Sequence, residues 1–347
     1  MSLPAVVVRT CNEAPRLALT LASLAAQDPR PEEVVVVDDG STDETPAVLA
    51  AAAAALKLRV LRHASPQGPS RASNAGAAAA RAARLLFLDG DTLAAPGLLA
   101  AHAALHAAAP GALGRGETWH LRQTRLLRDP DRLEPFPAAA ASFARLPAAE
   151  HARLRVTRAM VAGDFAALLA RAEPGHYPGA GPRRMHAVEM AALRTAPGCS
   201  ALWAAATGPN LSVPRDAFLA AGGFDPALDI TAHRALALRL CDAGHAMRPA
   251  EGAVSLHMTH RAGWLDPLSA LAWEDRFLAV APRREVALLA VFWAGIADRP
   301  PFPPDYLLPS LPALAEAACG GDGRDWDVPR RAIGARPLGP AFWTSAA

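Results

Sequence analysis

The chain has 347 residues, 52% of them hydrophobic and 20% charged, so it can bury a sizeable core in one large domain or two modest ones. Its net charge of +2 is small for this length. The charge balance therefore gives no indication of a nucleic acid or an anionic membrane as a partner.

The cysteines and the longest apolar run bear on the compartment. None of the four cysteines lies in a CxxC pair, which argues against a cysteine zinc site, and a disulfide framework is not expected in so large a chain. The first strand is predicted from Ala5, leaving no room for a signal peptide. Residues 286–297 form the longest apolar run, which is too short to span a bilayer. We expect a cytoplasmic protein without a transmembrane segment, and peripheral membrane contact stays open.

The first hundred residues alternate between short apolar runs and helical patterns. The runs are rich in Val and Leu, as in buried parallel strands, and the patterns between them have the spacing of amphipathic helices. Strands are predicted at 5–8, 33–37, 58–61 and 85–88, and helices at 17–26, 45–57 and 70–84. This alternation predicts an α/β fold with a mostly parallel sheet flanked by helices.

The pattern weakens after this region and divides the rest of the chain. Residues from about 112 to 200 give only broken helical signals, and order returns with a strand at 208–213 and a helix at 231–243. We therefore predict four parts: an α/β half at 1–110, a variable insert or lid at 111–204, a second half of the α/β domain at 205–262, and a helical, Pro-rich C-terminal extension at 263–347.

Three polar clusters, at 10–13, 38–41 and 89–91, follow predicted strands. Ligands of parallel α/β sheets bind at the carboxyl ends of the strands. Carboxylates gathered there repel one another, which indicates a bound cation or protonation. Oxygen ligands favour Mg²⁺ or Mn²⁺, and such an ion would stabilise a diphosphate leaving group.

Each cluster by itself also has a structural interpretation. Asp38-Asp39-Gly40-Ser41 is typical of a turn with a helix cap, and an Asp-x-Asp such as Asp89-Gly90-Asp91 is common by chance. The specific feature is their order: a strand ending in DDGSTD, then about fifty residues later a strand ending in DGD.

At this point the sequence resembles the family 2 glycosyltransferases, which have a GT-A type fold and use nucleotide sugars. The motifs are VVVRTCNE at 6–13, VVVVDDGSTDET at 34–45, GPSRASNAG at 68–76, LFLDGD at 86–91, and GPNLSVPRDAFLAAGGFD at 208–225. The resemblance covers roughly 4–110 and 205–260, and it implies that the part at 1–110 is the nucleotide-sugar-binding half and the part at 205–262 the acceptor-side half. It implies a metal-dependent, hexosyltransferase-like enzyme, inverting, with a UDP-sugar as its commonest donor and an unidentified acceptor.

The resemblance also implies a role for each matching residue. The implied donor-binding residues line the base, ribose or diphosphate, and they are Thr10, Asn12, Glu13, Asp39, Arg71, Asp89 and Gly90. Asp39 would accept from the base, Arg71 would face the base or the diphosphate, and Asp89 would lie near the ribose. Asp91 would ligate the metal. His257 is the candidate third ligand, ahead of His260, and the alternative is a structural histidine.

One departure from the family concerns the catalytic base. An inverting transfer needs a group that takes the acceptor's proton, and the family's Glu-Asp pair is replaced here by Ala232-His233. His233 could accept a proton as a neutral imidazole. Asp229 is the nearest carboxylate, although it also suits a helix N-cap. An acceptor that needs little base assistance, such as a thiol, is a third possibility.

Two other classes of protein were weighed against a transferase. A nucleotidyltransferase would need a Gly-rich loop after the first strand, which Arg9-Thr-Cys-Asn-Glu13 does not provide. A catalytically weak nucleotide-sugar-binding or scaffold protein is favoured by the missing Glu-Asp pair.

Overall fold

The computed structural model describes residues 2–174, 185–260, 270–320 and 323–344, and for Pro174 and Asp229 only the backbone. The chain divides into two compact units. The first comprises residues 1–174, 207–223 and 250–262, and the second comprises 175–206, 224–249 and 263–347.

The strands of the described chain are β1 (Ala5–Thr10), β2 (Val34–Asp38), β3 (Leu58–Arg62), β4 (Arg84–Asp89), β5 (Thr92–Ala94), β6 (Leu113–Leu121), β7 (Leu127–Asp129), β8 (Glu134–Pro135), β9 (Glu173–Pro174), β10 (Leu211–Pro214) and β11 (Met247–Met258).

The α-helices are α1 (Ala14–Ala25), α2 (Thr45–Ala52), α3 (Pro69–Ala79), α4 (Leu98–Ala108), α5 (Ala140–Ala144), α6 (Ala148–Leu154), α7 (Arg158–Gly163), α8 (Phe165–Leu169), α9 (Met185–Thr195), α10 (Arg215–Ala220), α11 (Ala232–Asp242), α12 (Ala272–Val280), α13 (Arg284–Gly295), α14 (Leu311–Cys319), α15 (Asp327–Ala332) and α16 (Pro340–Thr344). Short 3₁₀ helices cover Arg122–Leu126, Pro137–Ala139, Ser200–Ala205, Asp229–Thr231 and Pro304–Tyr306.

The first unit is built on a sheet of strand order β3-β2-β1-β4-β10-β6-β11-β5, with β9 paired to β6. The strands β3, β2, β1 and β4 are parallel, and β10 pairs antiparallel to β4. All residues of β2 are buried, as expected for strands covered on both faces. The α/β fold with a mostly parallel sheet is therefore confirmed.

The helices α1 and α3 cover strands of the parallel part. Leu17, Leu21 and Leu24 of α1 pack into a core with Val6 and Val34 of the sheet. This is the amphipathic stripe that the sequence predicts. Because α1 begins directly after β1, its first turn lies at the carboxyl edge of the sheet.

The second unit is helical and has a core of large aromatic side chains. Trp203 and Phe277 meet edge to face, and Trp273 packs against Trp293. Trp203 is only 1% exposed, so its ring belongs to this core. The long apolar run lies largely in α13, of which residues 286–294 are all buried. Within the described ranges, no helix is both long and apolar enough to cross a membrane.

Candidate active site and metal centre

The turn between β4 and β5 carries Gly90 and Asp91 and is fixed by its backbone. Gly90 donates its N–H to the carbonyl of Arg9, and its own carbonyl accepts from the Thr20 hydroxyl of α1 at 2.9 Å. A Cβ at Gly90 would lie 2.8 Å from the Thr10 hydroxyl oxygen. Only glycine therefore allows this turn to approach β1 so closely.

Asp91 lies between two histidines at the end of β11. Its carboxylate is 3.2 Å from Nδ1 of His257 and 2.8 Å from Nε2 of His260. The three ligand atoms lie within 4.8 Å of one another. Because Met258 donates its N–H to the carbonyl of Asp91, the backbone also holds β11 to the turn. The residues needed to hold a cation are therefore already together.

The electrostatics of this group favour a charged Asp91. Burial opposes ionisation of Asp91, but the charge of His257 and the hydrogen bonds of both histidines outweigh it and hold the Asp91 pKa well below its usual range. For His257, burial opposes the charged form, yet Asp91 raises the pKa. Both imidazoles are thus direct partners of this carboxylate.

Glu13 belongs to the same group. Its carboxylate is 3.3 Å from Nε2 of His260. Burial and then repulsion by Asp91 raise the Glu13 pKa to about 7. A nearby cation would lower the pKa of this carboxyl and favour its ionised form. Glu13 could therefore be a further metal ligand as well as a donor-binding residue.

Asp89 is engaged on the neighbouring strand. Nε of Arg9 donates to its carboxylate at 2.7 Å. For Arg9, burial lowers the pKa, but Asp89 and more distant carboxylates raise it above its ordinary value. Arg9 therefore supplies positive charge beside the cluster of Glu13, Asp89 and Asp91.

The carboxylates of the DDGSTD loop hold backbone together. Asp39 accepts from the N–H groups of Gln67 and Gly68 at 2.8 and 2.9 Å, and it lies 2.6 Å from Nδ1 of His63. Burial opposes the charge on Asp39, but these hydrogen bonds prevail and lower its pKa. Asp43 accepts from the N–H groups that begin α1 and α2. Asp43, which lies beyond the predicted turn at 38–41, thus binds the backbone where both helices begin.

The remaining predicted donor contacts line the same edge. Asn12 has a positive φ of 56°. Its side-chain oxygen accepts from the N–H of Thr42, and this hydrogen bond joins the loops after β1 and β2. Thr10 is 4% exposed, and its hydroxyl oxygen has no hydrogen-bond partner in the described chain. Arg71 is exposed on the first turn of α3, where a guanidinium can reach an anion.

The candidates for the catalytic base lie in the second unit. His233 is on the first turn of α11, and its Nε2 lies 2.8 Å from Nη1 of Arg234. Because arginine only donates, Nε2 of His233 is the acceptor in this contact. Asp229 begins the 3₁₀ helix before α11, and its side chain lies outside the described residues.

The sequence alone gives no link between Glu13 and the candidate metal ligands, and it favours His257 over His260 as a ligand. The structure gives His260 the shorter contact to Asp91. The available signal was the spacing His257-x-x-His260 directly after a strand. His63, which contacts Asp39, was missed because a single histidine in a loop carries no pattern.

Comparison with solved structures identifies the class of fold. TarS of S. aureus superposes with a TM-score of 0.50 and 18% identity, over 86% of this chain and 67% of that one. Its complex with UDP-GlcNAc gives 0.50 at 16% identity, over 86% of this chain and 68% of that one. The fold is therefore of the GT-A glycosyltransferase type.

Comparison of sequences finds a family match in the first third of the chain. The model of Glycosyl transferase family 2 matches residues 5–115, so the resemblance is confirmed over this segment. A succinoglycan biosynthesis protein, ExoO of Rhizobium meliloti (strain 1021), is 40% identical over 85 residues, 24% of this chain and 24% of its own. Validoxylamine A glucosyltransferase of Streptomyces hygroscopicus subsp. limoneus is 42% identical over 105 residues, 28% of this chain and 23% of its own. The aligned region thus spans about a quarter of these relatives.

Proposed function

We propose that this protein is a metal-dependent glycosyltransferase that moves a sugar from a nucleotide sugar, a UDP-sugar, to an acceptor with inversion. The observation that carries the proposal is the convergence of Asp91, His257 and His260 at the carboxyl edge of a GT-A sheet. The match of residues 5–115 to the family model supports the reaction class. One relative that is 42% identical over 105 residues is itself a glucosyltransferase.

The ligand atoms of this group fit a divalent cation. Asp91, His257 and His260 would hold it, with Glu13 as a further oxygen ligand. Imidazole is a poor ligand for Mg²⁺ and a better one for transition metals. Of the two ions expected from the sequence, Mn²⁺ therefore suits these residues better. When bound, the ion would neutralise charge on the diphosphate leaving group.

The residues around this centre would bind the rest of the donor. Asp39 has hydrogen bonds on both carboxylate oxygens, but each oxygen has two lone pairs, so one base N–H can still be accepted. Thr10 offers a buried hydroxyl without a partner at the same edge. Arg71 would meet the diphosphate or the base. The alternative structural roles of Asp39 and Asn12 are compatible with binding, because ordered loops form precise sites.

His233 is our candidate for the group that takes the acceptor's proton. The contact with Arg234 occupies Nε2 of His233. Proton transfer to Nε2 therefore requires Arg234 to release this nitrogen. Asp229 is the alternative base.

A second candidate function is a nucleotide-sugar-binding or scaffold protein of this fold with weak catalysis. The observation that favours it is Ala232-His233 where the family has Glu-Asp.

Release of UDP from a panel of UDP-sugars, in EDTA and in Mn²⁺, tests the proposal and separates the two functions. We expect turnover only with Mn²⁺. Replacing His233→Ala should lower transfer by ~100-fold or more, the lower end for loss of a general base, with UDP affinity unchanged. The control is His245→Ala, which removes a histidine beyond the other end of α11. Activity lost only in Asp229→Asn would identify Asp229 as the base, and UDP binding without any turnover would favour the scaffold.

A further inference from the structure

Arg16 is a buried cation beside the proposed metal centre. It lies on the first turn of α1, three residues after Glu13, and is 3% exposed. Its guanidinium donates to the carbonyls of Thr124, Leu127 and Arg128. Cζ of Arg16 lies 5.4 Å from the centroid of the Phe136 ring. A buried guanidinium needs hydrogen-bond partners; Nη1 and Nη2 have theirs in the segment 124–128, which they hold against α1, whereas Nε has none in the described chain.

The segment held by Arg16 in turn contacts the backbone of Thr259, the residue before His260. Thr124 is 1% exposed, and its hydroxyl lies 2.8 Å from the carbonyls of both Leu121 and Thr259. Thr259 directly precedes His260 and follows the end of β11. A hydrogen bond to the Thr259 carbonyl restricts the peptide plane that leads into His260, at the point where the sheet no longer does so.

We infer that Arg16 and Thr124 are positioning residues for the metal centre. Arg16 fixes Thr124, the Thr124 hydroxyl fixes the carbonyl of Thr259, and this orients the imidazole of His260 toward Asp91. The inference rests on the proposed function, in that it assumes that His260 is a ligand. Neither residue is one of the proposed ligands, and their contribution is to keep the ligand side chains in place.

The most direct test removes the hydroxyl of Thr124. Thr124→Val keeps the shape of the side chain and removes the donor, while Thr124→Ser keeps the donor. Mn²⁺ affinity is measured by calorimetry with the metal alone, together with the thermal midpoint of each metal-free variant. We expect the Val variant to bind Mn²⁺ 10- to 100-fold more weakly, the usual range for losing an outer partner of a ligand. The Ser variant should bind like the wild type. Thr195→Val, which removes a similar hydroxyl-to-carbonyl bond in α9, is the control.

The second pair of variants tests Arg16 itself. Arg16→Met should weaken Mn²⁺ binding as Thr124→Val does, whereas Arg59→Met, which removes another arginine-to-carbonyl bond, should not. Wild-type affinity in Thr124→Val, or equal losses in Val and Ser, would overturn the inference and leave the proposed metal site intact. A wild-type protein that binds no Mn²⁺ would instead overturn the metal site, and the inference with it.

Discussion

Asp39 shows how one residue can serve both the fold and a ligand. Its carboxylate holds the N–H groups of Gln67 and Gly68, and we propose that it also accepts from the base. Asp39→Ala should therefore weaken uridine binding even in EDTA, because this contact does not involve the metal. Uridine titration of the variant measures it.

Asp43→Ala is the matched control for this prediction. Asp43 belongs to the same motif and likewise accepts backbone N–H groups, but no base contact is proposed for it. Loss of uridine affinity in both variants would mean that loop order alone matters. Unchanged affinity in Asp39→Ala would leave Asp39 with a turn role only.

At the scale of elements, strands and helices with strong patterns were predictable. The strands β1, β2 and β4 and the helix α11 lie where the apolar runs and helical spacing indicated them. The helix α3 ends at Ala79, before the predicted end at 84, because residues 80–82 turn into β4 and Glu33 accepts the N–H groups of Arg81 and Ala82.

Other elements could not be predicted, and the reason is their composition. The strand β6 contains Gly114, Arg115 and Gly116, and neither glycine favours a strand. Side-chain contacts across the sheet explain them: a Cβ at Gly116 would lie 2.3 Å from Oδ1 of Asn210. The sequence placed Asp91 and His257 in one candidate metal site, and the structure brings their side chains together. The place of Glu13 depends on how α1 begins and is visible only in three dimensions.

The short helices α5 and α6 after β8 are weakly packed. The helix α5 has no buried residue, and α6 buries only Leu154, so little packing opposes their opening. We predict that hydrogen exchange of α5 and α6 slows when a UDP-sugar and Mn²⁺ are added, because lids are drawn from weakly packed regions. The helix α1 serves as the internal reference. Identical exchange in α5 and α6 with and without the UDP-sugar would show that these helices do not close over the donor.

At the scale of the whole molecule, a buried polar network links stability to pH. Nε2 of His102 is 2.8 Å from Oδ1 of Asn210, and Nδ1 is 2.8 Å from the Ser212 hydroxyl. The Asn210 amide donates to the carbonyls of Glu117 and Ala253, so its oxygen accepts from His102. Burial, with a smaller contribution from His106, lowers the His102 pKa to about 4.

The sign of the pH effect follows from this lowered pKa. The unfolded chain takes up a proton near pH ~6.5, which folded His102 resists. The contribution of His102 is therefore fully present above about pH 6.5 and is lost as the pH falls toward about 4. His102→Gln should lower the free energy of unfolding at neutral pH but flatten its decline over this window. Urea unfolding at several pH values measures both, with His151→Gln as the control. A decline as steep as in the wild type would contradict the prediction.

The central claim is that a cation held by Asp91 and the two histidines is needed to bind the diphosphate of the donor. Calorimetric titration with UDP, in EDTA and in Mn²⁺, tests it most directly when wild type and Asp91→Asn are compared. We predict clearly tighter binding in Mn²⁺ for the wild type and a loss in Asp91→Asn that is confined to the Mn²⁺ condition. Equal affinity of the wild-type protein for UDP in EDTA and in Mn²⁺ would contradict the account.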